Sequence, residues 1–287
     1  MPIKMVMETQ EQRVFMNITA NQCPGCPENL ATRLVMHFVF DVLKEQNPIV
    51  FGQGCGIGRD FLQRSGLGTH DSGIVGMLTA MEIRGIDRPI VVIDGDGQID
   101  IGLEDLATSF QQGYKYVHVV CDNQAHAASG SHATGSTHPL ARTGVRPSGK
   151  LCHPKHFALM LMFSGADYVA TASTSHPQDL ERKIKNAVTR MPAFIQILTP
   201  CNPSWGYDDN KGVHVSRLAV ECGIWPLYEW KDGVFRRQNI PRKATVRDYT
   251  ASQRRYAHLT DGDVQLLEEY ARDLNSTLAK LERSFAA

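Results

Sequence analysis

One repeated unit constrains this chain more than anything else in it. A short apolar run leads into a cluster of Gly, Asp, Asn or Cys, and a helix-like stretch follows. The runs fall at residues 48–51, 88–93, 116–120, 168–171 and 193–198. Helical patterning covers 72–84, 103–112, 153–164 and 177–191, where Leu180, Ile184 and Val188 recur at i, i+4 and i+8. Strands alternating with helices predict an α/β fold, a mostly parallel sheet with helices on both faces. Ligands bind such sheets beyond the carboxyl ends of the strands. The segments 52–58, 95–97, 121–123 and 200–202 each follow a strand, so one edge should gather them.

With 287 residues and 42% hydrophobic content there is enough apolar material for one large domain or two small ones. We assign residues 1–215 to an α/β domain that includes an N-terminal cysteine segment. Residues 216–287 form a C-terminal arm that packs on the domain or on a partner. Its expected elements are a hairpin near 227–235 and a terminal helix over 263–285 with an apolar stripe of Leu266, Tyr270, Leu274, Leu278 and Leu281. Residues 125–150, rich in Gly, Ser, His, Thr and Pro, make a loop long enough to be either functional or disordered. Thirty acidic residues balance thirty basic ones, so nothing points to nucleic acid or a membrane surface as partner. No stretch reaches the roughly 18–20 apolar residues of a membrane span, and the first residues lack a signal-peptide pattern, so a cytoplasmic protein is expected.

A diphosphate cofactor needs its charge neutralised by a divalent cation, and Mg²⁺ prefers octahedral oxygen ligands. Asp96 stands at a strand end between Gly95 and Gly97, where the absence of side chains lets backbone approach phosphate. Asn123 lies at the end of the next strand, and the Ala125 carbonyl follows it. Alone, Gly-Asp-Gly can be a simple turn. Joined to Asn123 at the matching element, it reads as a site for a diphosphate and Mg²⁺ and resembles the thiamine-diphosphate signature.

The seven cysteines are Cys23, Cys26, Cys55, Cys121, Cys152, Cys201 and Cys222. An odd count with no secretion pattern argues against a disulfide framework. Cys23 and Cys26 form a Cys-x-x-Cys pair, and Cys55 and Cys201 sit in strand-end loops. Four thiolates can hold a 4Fe-4S cluster, and structural zinc fits the same spacing. Cys121 reads as a buried structural thiol, while Cys152 and Cys222 carry no flanking signal.

Together these motifs resemble the β subunit of the 2-oxoacid:ferredoxin oxidoreductases, most closely the pyruvate:ferredoxin oxidoreductase (pyruvate synthase) branch. The matching stretches run in order along the chain: Cys23-Pro24-Gly25-Cys26, Gly54-Cys55-Gly56, the magnesium loop from Gly95 to Gly102, Asp122-Asn123-Gln124-Ala125 with Ser129-Gly130, and Pro200-Cys201 through Trp205-Gly206. The resemblance implies oxidative decarboxylation of a 2-oxoacid, with electrons passing through a 4Fe-4S cluster to ferredoxin and coenzyme A taking the acyl group in most members. It implies Mg²⁺ held by Asp96, Asn123 and the Ala125 carbonyl, and the cluster held by Cys23, Cys26, Cys55 and Cys201. It places Gly54, Gly56, His70, Gly95, Gly97 and Ser129 at the cofactor. It also implies an α-type partner subunit completing the thiamine site, and a ferredoxin-like subunit or ferredoxin.

The chain departs from the family pattern where an Asn normally precedes Thr-Gly. That position is Ala128, and His126 and His132 lie nearby. Losing an amide donor while gaining imidazoles changes which substrate head is tolerated. Ala128 and His132 are therefore expected to face substrate, and His70, which the resemblance puts near the thiamine, is a further catalytic candidate, with a solvent-facing residue capping the next helix as its alternative. Oxalate, which would yield CO₂ without coenzyme A, is an alternative to a pyruvate-like 2-oxoacid. A third reading is a non-redox thiamine-dependent decarboxylase subunit with structural zinc. Lys150, closing the long loop, reads as a solvated charge.

Overall fold

The computed structural model describes residues 23–53, 55 and 71–286. Gly54, Gly56 and His70 lie outside the described residues.

Seven strands form one sheet in the order β1-β2-β3-β5-β4-β6-β7. They are β1 (Ile49–Gln53), β2 (Ile90–Gly95), β3 (Val117–Asp122), β4 (Tyr168–Ser173), β5 (Ala193–Leu198), β6 (Tyr228–Lys231) and β7 (Val234–Arg237). The first five pair in parallel, as the strand–helix alternation predicts, while β6 and β7 add an antiparallel edge.

Side-chain alternation along each strand divides the core in two. Val91, Ile93, Val117, Val119, Ile195 and Ile197 face one side, against Ala31, Val35 and Val39 of helix α1 (Pro27–Leu43) and against Leu180 and Ile184. Ile90, Val92, Val120, Val169 and Phe194 face the other, against Leu78, Ile99, Leu106 and Phe110. Both faces of the parallel strands are thus dry, which is why those strands read as continuous apolar runs.

Several element ends differ from expectation. The helix expected from residue 103 starts at Asp96, so the Gly95–Gly97 segment is a strand–helix junction and not a loop. Gly95 is its N-cap, and the Asp96 carboxylate sits at the positive end of the helix, a favourable place for an anion. The break expected there falls instead at Gly102, whose backbone leaves helical geometry (φ −105°, ψ 21°). The helix expected from residue 153 covers only Phe157–Met162. Pro154 disfavours helical backbone at His153.

The arm is integrated into the domain. β6 pairs with β4, and residue 215 falls inside the helix Gly212–Glu221. A third apolar cluster joins Val215 and Ala219 to Tyr249, Val264, Leu267 and Tyr270, so the arm packs on this same chain; Leu266, expected in the buried stripe, is exposed, and Leu267 takes its place. Among the described residues no helix is long and apolar enough to cross a membrane.

Candidate active site

Parallel register sets the ends of β2, β3 and β5 side by side: Gly95 pairs with Cys121, and Asp122 with Leu198. The residues just beyond these ends therefore meet. Asp96, fully buried, has one carboxylate oxygen accepting from Thr134 Oγ1 (2.6 Å) and Ser136 Oγ (3.1 Å). The other oxygen, Oδ1, is buried and has no hydrogen-bond partner among the described residues. Asp122 lies alongside, fully buried, accepting from Gln196 Nε2 (2.6 Å) and the Gln124 backbone N–H (2.8 Å); it also lies 2.8 Å from the same Ser136 Oγ, for whose one proton it is the alternative recipient. Burial, and then the charge of Asp122, pushes the Asp96 carboxyl well above the ordinary carboxylate range. Burial likewise raises Asp122.

Two adjacent buried carboxylates, one with an orphaned oxygen, form a donor set with a deficit of positive charge. Asn123 Oδ1 accepts one hydrogen bond, from Ala125 N at 3.1 Å, and the Ala125 carbonyl accepts one, from Ala127 N at 2.8 Å. Each carbonyl-type oxygen has a second lone pair to offer. These residues fit a hard divalent cation.

Gln124, between Asn123 and Ala125, adds an observation that sequence alone does not provide. It is buried with φ +60°, and neither polar atom of its side chain has a partner among the described residues. A left-handed, non-glycine residue carrying an unpaired buried amide is costly on both counts. Thr199, which follows β5, also buries a hydroxyl without a partner among the described residues. Unsatisfied polar atoms thus occur just past β2, β3 and β5.

The long loop is ordered in the service of this site. Lys150 is buried, contrary to its reading as a solvated charge. Its Nζ donates to the carbonyls of Thr134 (3.2 Å), Gly135 (2.7 Å) and Thr137 (2.8 Å), which staples the segment carrying Thr134 and Ser136. Three carbonyls provide the acceptors that let an ammonium stay inside, although burial lowers its pKa. His126 packs so tightly on Gly97 that any side chain at Gly97 would collide with the imidazole. His126 and His132 are joined by a backbone bridge. Ala128, Ser129 and His132 are exposed, Ala128 and Ser129 on the short turn Ala127–Ser129.

Of the cysteines, Cys23 and Cys55 are exposed, Cys26 and Cys201 are partly buried, and Cys121 and Cys222 are buried. Among the described residues no three His, Cys, Asp or Glu side chains stand together as a metal-ready group. The segments bearing Cys26 and Cys201 are nonetheless docked, because Asn202 Nδ2 donates to the Pro24 carbonyl at 3.1 Å. Burial pushes the Cys201 thiol up to about 12, with Cys26 and Cys55 adding to the rise. Thiolate ligands of this softness suit iron or zinc.

Sequence reasoning placed Asp122 and Gln124 in the second motif but gave neither a role of its own. It missed Thr134, Ser136 and Gln196, which carry no local signal.

Residues 52–197 match the family model for thiamine pyrophosphate enzymes, C-terminal TPP binding domain. The chain is 40% identical over 189 residues to pyruvate synthase subunit PorB of Methanocaldococcus jannaschii, a match covering 63% of each chain. That is under two thirds of the relative's length. It is 36% identical over 204 residues to PorB of Methanothermobacter thermautotrophicus, covering 68% of this chain and 71% of the relative. Ketoisovalerate oxidoreductase subunit VorB of Pyrococcus furiosus is 31% identical over 227 residues, covering 75% of this chain and 73% of the relative. Among solved structures, the 2-oxoglutarate:ferredoxin oxidoreductase of Magnetococcus marinus shares the fold, with a TM-score of 0.57 at 18% identity and 75% of each chain covered.

Proposed function

Since the chain belongs to the thiamine pyrophosphate enzyme family and, within it, to the β subunits of the 2-oxoacid:ferredoxin oxidoreductases, we propose that it is the thiamine-diphosphate- and 4Fe-4S-binding subunit of a complex that oxidatively decarboxylates a pyruvate-like 2-oxoacid and passes the electrons to ferredoxin. The observation that carries the reading is the buried Asp96 Oδ1, without a hydrogen-bond partner among the described residues, at strand ends that also carry Asn123. When bound, thiamine diphosphate supplies the electron sink for decarboxylation, and an iron–sulfur cluster supplies the one-electron path away.

The chain's own part is binding and orientation. Asp96, Asn123 and the Ala125 carbonyl would hold Mg²⁺, which would supply the charge that neutralises a diphosphate. Gly97, having no side chain, lets the His126 imidazole pack directly on the first turn of the helix that begins at Asp96. Thr134 and Ser136 fix the second oxygen of Asp96, so that Oδ1 is the one presented. Cys23, Cys26, Cys55 and Cys201 hold the cluster. An α-type subunit supplies the rest of the thiamine site, and coenzyme A takes the acyl product.

A second reading concerns the substrate. Ala128 offers no amide donor, while the His126 imidazole lies against Gly97 next to Asp96. Imidazoles in place of an amide favour a more highly charged head, and oxalate is the simplest such substrate. A non-redox decarboxylase with structural zinc is the remaining alternative.

The deciding experiment is anaerobic co-purification with partner subunits, metal analysis, and assay of pyruvate, other 2-oxoacids and oxalate with and without coenzyme A. About four irons per chain and 2-oxoacid-dependent ferredoxin reduction are expected. Stoichiometric zinc, with CO₂ release but no reduced acceptor, would overturn the redox reading.

A further inference from the structure

The Trp205 indole N–H donates to the Asn123 carbonyl at 2.7 Å. Trp205 is fully buried and closes the one-turn helix Asn202–Trp205, which starts directly after Cys201. The Trp205 backbone N–H returns to the Cys201 carbonyl at 2.8 Å. The indole is held flat by Arg255 of the C-terminal arm, whose guanidinium carbon lies 3.4 Å from the ring centroid. Arg255 is itself fixed by Gln253 Oε1 (2.7 Å) and the Tyr249 hydroxyl (2.8 Å). On the opposite side, Asn123 Nδ2 lies 3.5 Å from Glu28 Oε2, just past Cys26. Asn123 is therefore gripped from both cysteine-bearing segments, most firmly through Trp205.

A clamped ring, a short indole bond and a single helical turn leave little slack between Cys201 and Asn123. Burying a carbonyl without its donor is costly, so the Asn123 main chain follows the indole. The indole in turn follows the turn that begins at Cys201. We propose that Trp205 is a positioning residue that couples occupation of the cysteine site to the affinity of the Asp96–Asn123 site for Mg²⁺ and thiamine diphosphate. This inference rests on the function proposed above. Coupling of two binding sites is reciprocal: each ligand strengthens the other by the same factor.

The test uses the complex with its partner subunits, titrated calorimetrically with thiamine diphosphate in excess Mg²⁺, before and after iron removal by a chelator. In the wild type, iron removal should weaken thiamine diphosphate about ten-fold, the scale of one lost hydrogen bond. Trp205→Phe keeps a ring under Arg255 and deletes the N–H. It should retain wild-type iron content, bind thiamine diphosphate about ten-fold more weakly, and change less than about two-fold on iron removal. Equal responses to chelation in both proteins, or wild-type affinity in Trp205→Phe, would overturn the proposal. A measurement on the wild type alone keeps it exposed should the variant fold poorly. Iron retained at equilibrium with the chelator must rise when thiamine diphosphate and Mg²⁺ are added, and no rise overturns the coupling. A complex that binds thiamine diphosphate and iron with independent affinities sinks this inference alone, whereas one that binds neither sinks the functional reading as well.

Discussion

Asp96 and Asp122, on neighbouring strand ends, both lie within hydrogen-bonding distance of one hydroxyl, that of Ser136, at 3.1 and 2.8 Å. A serine hydroxyl has a single proton, so it donates to one carboxylate at a time. The pair is left with more negative charge than this donor can answer.

Replacing Asp96 by Asn should remove Mg²⁺-dependent thiamine diphosphate binding by more than about 100-fold, since even the partners behind a metal ligand are worth 10–100-fold. The variant should still fold, because Asn relieves a buried carboxylate. Calorimetric titration and a melting curve check the two halves separately. Retained affinity would remove Asp96 from the cofactor site.

Gln124→Met keeps side-chain length at the same left-handed backbone while deleting two unpaired buried polar atoms. The ligand-free protein should gain about 1 kcal/mol, from the lower end of what such groups cost. Thiamine diphosphate or substrate binding should weaken. A lower melting temperature in the ligand-free variant would mean that the Gln124 amide is satisfied in solution.

His138 supplies a pH dependence. Burial, and then the positive charges of Arg255, His156 and Lys150, hold its imidazole well below the ordinary value near 6.5. The unfolded chain therefore binds a proton that the folded one refuses. Stability is complete above about pH 6.5 and is lost on acidification, by up to about 1.4 kcal/mol per pH unit. His138→Gln should flatten this limb in denaturant titrations between pH 6.5 and 5. An unchanged slope would place the acid sensitivity elsewhere.

Lys183 is fully buried and bonded to Asp179 Oδ2 (2.6 Å) and the Thr171 carbonyl (2.8 Å). Asp179→Ala strands that ammonium and should cost about 3–5 kcal/mol. Adding Lys183→Met should recover most of the loss. Chemical denaturation of the two variants decides it; equal instability would show that Asp179 acts through its other bond, to Arg182 Nη2 (2.7 Å).

The sequence by itself determined the parallel strands, because a strand buried on both faces must be apolar throughout, and 193–198 was legible to its end residues. It likewise determined the order of the chemical motifs, since Gly-Asp-Gly, Asp-Asn and Cys-x-x-Cys are local patterns. Tertiary structure alone decided which distant groups serve them. Thr134 and Ser136 reach Asp96 because Lys150 folds their loop back, and Arg255 reaches Trp205 because the arm crosses the domain. Lys150 looked solvated for the same reason: the three carbonyls that allow an ammonium to be buried become its neighbours only after the loop closes. Periodicity and short motifs record what neighbours along the chain need. A buried charge or carbonyl is satisfied by whatever folding brings near, and that has no spacing to read.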